Sequence, residues 1–183
     1  FELHCYTSIV ITHLNISFDK NKVIDEINTL NLEPGHSNNW WRAKTEESKR
    51  FWYKTDTWLK TIIEDTSELH EIARLNSIFE CDIMYVYKQL ANSNLPRHRD
   101  YDIITAVNIL LSDDVAPITF DHGDEYYKQA LIDVSQVHSV KPHPEDRLLL
   151  KFAWHERTFK EIEQELKEKC LIWEDPYPLV ELV

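Results

Sequence analysis

The sequence predicts a mainly β domain, a sandwich or jelly roll with helices packed outside it. Three observations lead there. From Asp82 to Trp154 the chain breaks into short apolar, β-branched and aromatic runs separated by regular turns, with no helical stretch between them. Helical spacing falls before and after this block, in Val23, Ile24, Ile27 and Leu30 and again in Ile162, Leu166 and Cys170. Gly35 and Gly123 are the only two glycines, too few for glycine-rich phosphate loops of the dinucleotide or P-loop kind.

Each element has its own signal. Glu2 to Leu14 reads as a strand through the β-branched run Ser8-Ile9-Val10-Ile11-Thr12. Lys20 to Leu30 is a helix by spacing, and Asn31 to Asn39, with Pro34-Gly35, is a loop. Trp40 to Tyr53 is aromatic and charged without a clean period. Trp58, Leu59, Ile62 and Ile63 suggest a second helix. Leu69, Ile72, Ala73 and Leu75 suggest a third, with Thr66 or Ser67 near its start.

Strands follow at Asp82–Leu90, Ile103–Leu111, Ile118–Phe120, Ala130–Val134, Val137–Val140 and Arg147–Trp154. Turns separate them at Ala91–Pro96, Asp121–Asp124 and Pro142–Asp146, and His98 and Asp100 open a further extended piece. Thr158-Phe159-Lys160-Glu161 is a capping box that starts a last helix. The expected organisation is one domain over 1–183: a helical and aromatic part at 1–81, a jelly-roll core at 82–155 and a C-terminal helix at 156–170.

Composition excludes several classes. With 43% apolar residues, six Trp and eight Tyr, the chain is not disordered by composition. A net charge of −12 disfavours nucleic acid, whose binding requires phosphate neutralisation. No apolar run approaches a membrane span, and no signal segment is seen. Cys5, Cys81 and Cys170 are far apart and form neither a zinc pattern nor a disulfide framework. The expected setting is therefore cytoplasmic, with no membrane partner.

The most informative motif is His98-Arg99-Asp100, followed by His138 and, nine residues later, Arg147. Residues at i and i+2 project to one side of an extended strand, and a histidine from a distant strand can complete three corners around a metal. Two histidines and a carboxylate with the remaining positions open suit non-haem Fe(II) that must also bind a co-substrate and O₂. His98 and Asp100 alone would read as a polar strand start, and His138 alone as a buried histidine with a structural hydrogen bond. Arg147 alone would read as a surface partner of Glu145 or Asp146.

Other patterns carry less. His122-Gly123-Asp124 repeats the H-x-D spacing but looks like a turn. His98-Arg99-Asp100 also spells a kinase catalytic-loop tripeptide, but Thr105 stands where a kinase needs Asn. The aromatic groups Trp40-Trp41 and Trp52/Trp58 suit core packing, an interface or a substrate mouth.

Taken together, His98, Asp100, His138 and Arg147 resemble the Fe(II)/2-oxoglutarate-dependent oxygenases, over Ile83 to about Trp154. The stretch His138-Ser139-Val140, Asp146-Arg147 and Ala153-Trp154-His155 looks most like the aspartyl/asparaginyl β-hydroxylase branch. Asp100 departs from that branch, which typically lacks the carboxylate two residues after the first histidine. The resemblance implies a double-stranded β-helix, a cupin-like jelly roll. It implies Fe(II) held by His98, Asp100 and His138, 2-oxoglutarate as co-substrate with O₂, and hydroxylation of an amino-acid, peptidyl or other small substrate.

Arg147 would hold the far carboxylate of 2-oxoglutarate through two parallel hydrogen bonds, with Lys141 and Lys151 as alternatives. Tyr85, Tyr87 and Asn108 would offer polar contacts to the co-substrate or pack in the core. Two competing readings remain: a cupin-type metalloprotein that does not use 2-oxoglutarate, and a non-catalytic β-sandwich binding module.

Overall fold

The computed structural model describes residues 10–35, 55–100, 102–113 and 117–173. The Trp40 to Tyr53 segment, Cys5 and most of the first expected strand lie outside them. The elements in chain order are β1 (Ile11–His13), α1 (Lys20–Asn28), β2 (Glu33–Pro34), β3 (Trp58–Ile63), α2 (His70–Phe79), β4 (Ile83–Gln89), β5 (Leu95–His98) and β6 (Thr105–Leu110). Then come β7 (Ile118–Phe120), β8 (Gly123–Glu125), β9 (Gln129–Asp133), β10 (His138–Val140), β11 (Arg147–Trp154) and α3 (Phe159–Glu168).

Two antiparallel sheets face each other. The larger runs β1-β9-β6-β11-β4-β3-β2 and the smaller β5-β10-β7-β8. The predicted mainly β sandwich with flanking helices is the observed architecture. β11 is its spine: Leu150 lies opposite Val86 on β4 and opposite Ile109 on β6.

Alternation along the central strands sends side chains to two different places. Val86, Val107, Ile109, Leu131, Leu150, Phe152 and Trp154 pack outward under the helices. There they meet Val23 and Ile27 of α1, Ile72, Leu75 and Phe79 of α2, and Phe159, Ile162 and Leu166 of α3. The opposite face turns Ala106, Leu110, Ala130, Ile132 and Ala153 towards Ile118 and Phe120 of the smaller sheet.

Several short stretches depart from expectation: Glu33–Pro34 and Gly123–Glu125, expected in a loop and a turn, form β2 and β8, and the largest departure comes between them. Residues 58–63 form strand β3, not a helix. The i, i+1, i+4, i+5 apolar spacing fits both structures over so short a run, and the β-branched Thr61, Ile62 and Ile63 favour the strand. The whole of β3 pairs with β4, from Trp58–Gln89 to Ile63–Met84, and so extends the sheet. Leu95 and Pro96 also belong to a strand, β5, and not to the preceding turn. Proline is tolerated there because β5 is an edge strand.

The helix termini are held in two ways. α3 starts with the predicted capping box, Thr158 and Glu161 bonding reciprocally. α2 receives no cap from Thr66 or Ser67. Its first N–H groups at Glu71 and Ile72 donate instead to the Glu26 carboxylate of α1, at 2.7 and 2.9 Å. A carboxylate suits a helix N-terminus electrostatically. Glu71 answers by accepting from the Asp19 N–H at the start of α1.

Candidate metal centre

His98 ends β5 and His138 begins β10, and the two are paired directly across the small sheet. Their rings lie 4.3 Å apart between centroids. Asp100 sits two residues past the end of β5, its backbone N–H donating to the Val134 carbonyl at 3.1 Å. One ligand atom from each of His98, Asp100 and His138 falls within 4.8 Å of the other two. This is the only such cluster of three among the described residues.

The hydrogen bonds define which atoms face inward. His98 Nδ1 lies 2.8 Å from the Pro96 carbonyl, and His138 Nδ1 lies 2.8 Å from the Gln136 carbonyl. A carbonyl only accepts, so each Nδ1 carries a proton and each Nε2 is left for a metal. Backbone carbonyls commonly orient metal-binding imidazoles in this way. His98 Nε2 lies 3.3 Å from Asp100 Oδ1.

Electrostatics fit the same role. Burial, aided by the neighbouring His98, lowers the His138 pKa to about 4 and keeps that imidazole neutral at pH 7. Burial pushes the Asp100 carboxyl up, but the Lys151 ammonium, and after it the adjacent His98, outweigh it and hold the group well below its usual value. Asp100 is therefore a carboxylate. Burial, then Tyr85 and Asp100, raises Tyr87 far above its ordinary value, so Tyr87 is a neutral phenol.

A cavity of about 60 Å³ opens between the sheets at this point, several times the space one water needs. His98, Asp100, His138, Arg147, Tyr87, Asn108 and Lys151 all line it. Tyr85 does not, but lies beside Tyr87 with ring centroids 5.6 Å apart. Trp58 lines the cavity as well and donates its indole N–H to the Asn94 carbonyl.

Arg147 is not a surface partner of Glu145 or Asp146, for it is only 2% exposed. One terminal N–H donates to the Tyr127 hydroxyl at 3.0 Å, while Nε has no hydrogen-bond partner among the described residues. The Asn108 amide also donates to Tyr127, at 3.1 Å. With two donors aimed at its oxygen, the Tyr127 hydroxyl has its own proton to offer elsewhere. A buried guanidinium with an unused N–H, beside a phenol free to donate, suits a carboxylate.

Of the two alternatives to Arg147, neither stands free. Lys151 is in the cavity, but its ammonium bonds Asp100 Oδ2 at 2.6 Å. Lys141 pairs with Asp124 at 2.5 Å near the surface. The second H-x-D also stays apart, His122 pairing with Glu125 at 2.9 Å.

Sequence reading missed Tyr127 and Gln89, both of which line the cavity. Tyr127 precedes β9 in an irregular stretch, where no alternation reveals its direction. Gln89 had a usable signal: it shares the face of Tyr85 and Tyr87 on β4.

No family model and no curated protein matches this sequence. Among solved structures, the chain is similar to an oxidoreductase of the 2-oxoglutarate–Fe(II) oxygenase family from Burkholderia pseudomallei. That match has 11% identity, covers 79% of this chain and 87% of that one, and has a TM-score of 0.53. A collagen prolyl hydroxylase from Paramecium bursaria Chlorella virus-1, in complex with 2-oxoglutarate, matches at 11% identity over 74% of this chain and 89% of that one, TM-score 0.45. HygX from Streptomyces hygroscopicus, with nickel and 2-oxoglutarate bound, matches at 10% identity over 78% and 82%, TM-score 0.48. At 11% identity the likeness to the Burkholderia pseudomallei structure is one of fold: two antiparallel sheets in the cupin-like, double-stranded β-helix arrangement.

Proposed function

We propose that this chain is a non-haem Fe(II)- and 2-oxoglutarate-dependent dioxygenase that hydroxylates an amino-acid, peptidyl or other small substrate. One observation supports this above the others. The two imidazoles and the carboxylate converge in the same cavity as Arg147, a buried cation with an unused donor. Such a donor set with open positions suits Fe(II), and the buried cation suits the carboxylate of a keto acid bound at that metal.

His98 and His138 would hold the metal through Nε2, and Asp100 through Oδ1. The iron, when bound, would supply the coupling of O₂ reduction to oxidative decarboxylation of 2-oxoglutarate and to substrate hydroxylation. Arg147 would bind the distal carboxylate with Tyr127 donating beside it, which fixes the co-substrate's direction in the cavity. Asn108 orients Tyr127 by donating to its oxygen. Trp58, Leu95 and Val140 form an apolar wall with Tyr87, which would exclude water around the reacting groups. The branch of peptidyl hydroxylases suggested by residues 138–155 is one source of substrates, and Asp100 keeps free amino acids and other small molecules in range.

A screen of succinate release against amino acids and short peptides tests this, with Fe(II), 2-oxoglutarate and O₂ supplied. The expected result is succinate formed in step with a hydroxylated product, and lost in Arg147→Ala. Metal binding without any 2-oxoglutarate binding would move the protein to the cupin-type reading.

A further inference from the structure

The two oxygens of Asp100 have different partners. Oδ1 faces His98 at 3.3 Å, while Oδ2 accepts from Lys151 Nζ at 2.6 Å. Lys151 lies within β11, between Tyr85 and Asn108 on the adjoining strands, and its side chain is 8% exposed. Its nearest same-face neighbours on β11, Leu149 and Ala153, are apolar. A lysine in such a place is unusual, and packing alone does not call for one. Its ammonium also lies 5.9 Å from the Tyr87 ring centroid, which further fixes the head group.

We propose that Lys151 is a positioning residue that makes Asp100 a one-oxygen donor. The ammonium holds Oδ2 and turns Oδ1 towards the histidines. This rests on the metal reading above and goes beyond it, because the donor set alone does not say how the carboxylate binds. A carboxylate can coordinate through one oxygen or two. Two-oxygen binding by Asp100 would fill a position that co-substrate or O₂ requires.

The same ion pair has a second consequence. Without metal, Lys151 compensates a carboxylate that would otherwise be buried and unpaired. With metal, it places a positive charge near a divalent cation and opposes that cation's entry. Lys151 therefore keeps the coordination sphere open at a cost in metal affinity. Mere structural support predicts the reverse, since losing it would loosen the site and weaken metal binding.

Co(II) titration of the full chain tests this, using the wild type, Lys151→Met, Lys151→Arg and the double variant Asp100→Asn/Lys151→Met. Three readouts apply: visible Co(II) absorption, Co(II) affinity and thermal midpoint without metal. Lys151→Met should bind Co(II) at least tenfold more tightly, with altered d–d bands as Oδ2 joins the metal. Its metal-free midpoint should fall, and the double variant should recover most of that loss. Lys151→Arg, which keeps a cationic donor, should return the spectrum towards that of the wild type.

The proposal is overturned if folded Lys151→Met binds Co(II) more weakly or shows an unchanged spectrum. If the wild type binds Co(II) and 2-oxoglutarate while Lys151→Met is indistinguishable from it, only the role of Lys151 falls. If neither protein takes Co(II), the metal reading falls with it.

Discussion

Strand β11 carries two different chemistries on its two faces. Leu150, Phe152 and Trp154 point under the helices and are at most 1% exposed. Arg147, Lys151 and, between them, Leu149 point into the cavity. The first face is continuous hydrocarbon, and burying it drives folding. The second holds two cations in the protein interior, where charge is costly unless it is paired. Lys151 has its partner in Asp100, while Arg147 keeps an unused N–H. The helix face thus reads as stability and the cavity face as binding, and substitutions should separate the two.

Phe152→Ala should have the largest effect on stability. Phe152 is fully buried, and its ring centroid lies 4.7 Å from that of Phe79 on α2. Truncation should cost about 3–5 kcal/mol, measured by urea denaturation. A loss below about 1 kcal/mol would mean that the helices are not docked on this face.

Acid should act next, and mainly through the cavity. The His138 pKa is lowered from 6.5 to about 4, so the unfolded chain binds its proton first as the pH falls. Stability is therefore lost between about pH 6.5 and 4, by up to about 3 kcal/mol in the metal-free protein. His13, whose pKa burial also lowers, adds with the same sign. Asp100 works in the same sense at lower pH. Its depressed pKa gives stability that is full above the unfolded value of 3.8 and lost as pH falls below it. Denaturation midpoints from pH 7 to 3 should show both steps, and His138→Gln should flatten the first. An unchanged profile in that variant would remove His138 as the source.

Arg147→Ala should reverse the pattern of Phe152→Ala. Its effect on folding should be small, because an incompletely bonded buried guanidinium contributes little net stability. The 2-oxoglutarate requirement should rise by about 100-fold, the scale of a lost charge-assisted pair, while metal binding is retained. Arg147→Lys should recover only part of this, since the two-pronged geometry is gone. Calorimetric titration of the metal-loaded protein measures both. Thr158→Ala at the α3 cap should have the smallest effect, about 1 kcal/mol of stability, without change in metal or 2-oxoglutarate affinity.

The two faces were not equally legible in the sequence. The helix face is written in periodicity, so α1, α2, α3 and the strands β4, β6, β7, β9, β10 and β11 could be read within a few residues, whereas β5 and β8 fell where turns were expected. Residues 58–63 misled because six residues with apolar pairs satisfy either period, and the β-branched Thr61, Ile62 and Ile63 together with pairing to β4 decide for the strand. The cavity face is assembled from distant segments. His98 and Asp100 announced themselves by spacing, but their closeness to His138 depends on β5 pairing with β10. Lys151 could be placed on the face of Arg147, yet its bond to Asp100 crosses 51 residues. Tyr127 left no local sign, because its direction is set by a loop and its role by Arg147 and Asn108.

On the proposed reading, the cavity face binds Fe(II) and 2-oxoglutarate together. Anaerobic titration of 2-oxoglutarate into the Fe(II)-loaded protein tests it most directly, with visible absorption as the readout. The expected result is a metal-to-ligand charge-transfer band that saturates with 2-oxoglutarate. The band should be absent in His138→Ala and should require far more 2-oxoglutarate in Arg147→Ala. Stoichiometric Fe(II) binding with no such band at any 2-oxoglutarate concentration would contradict it.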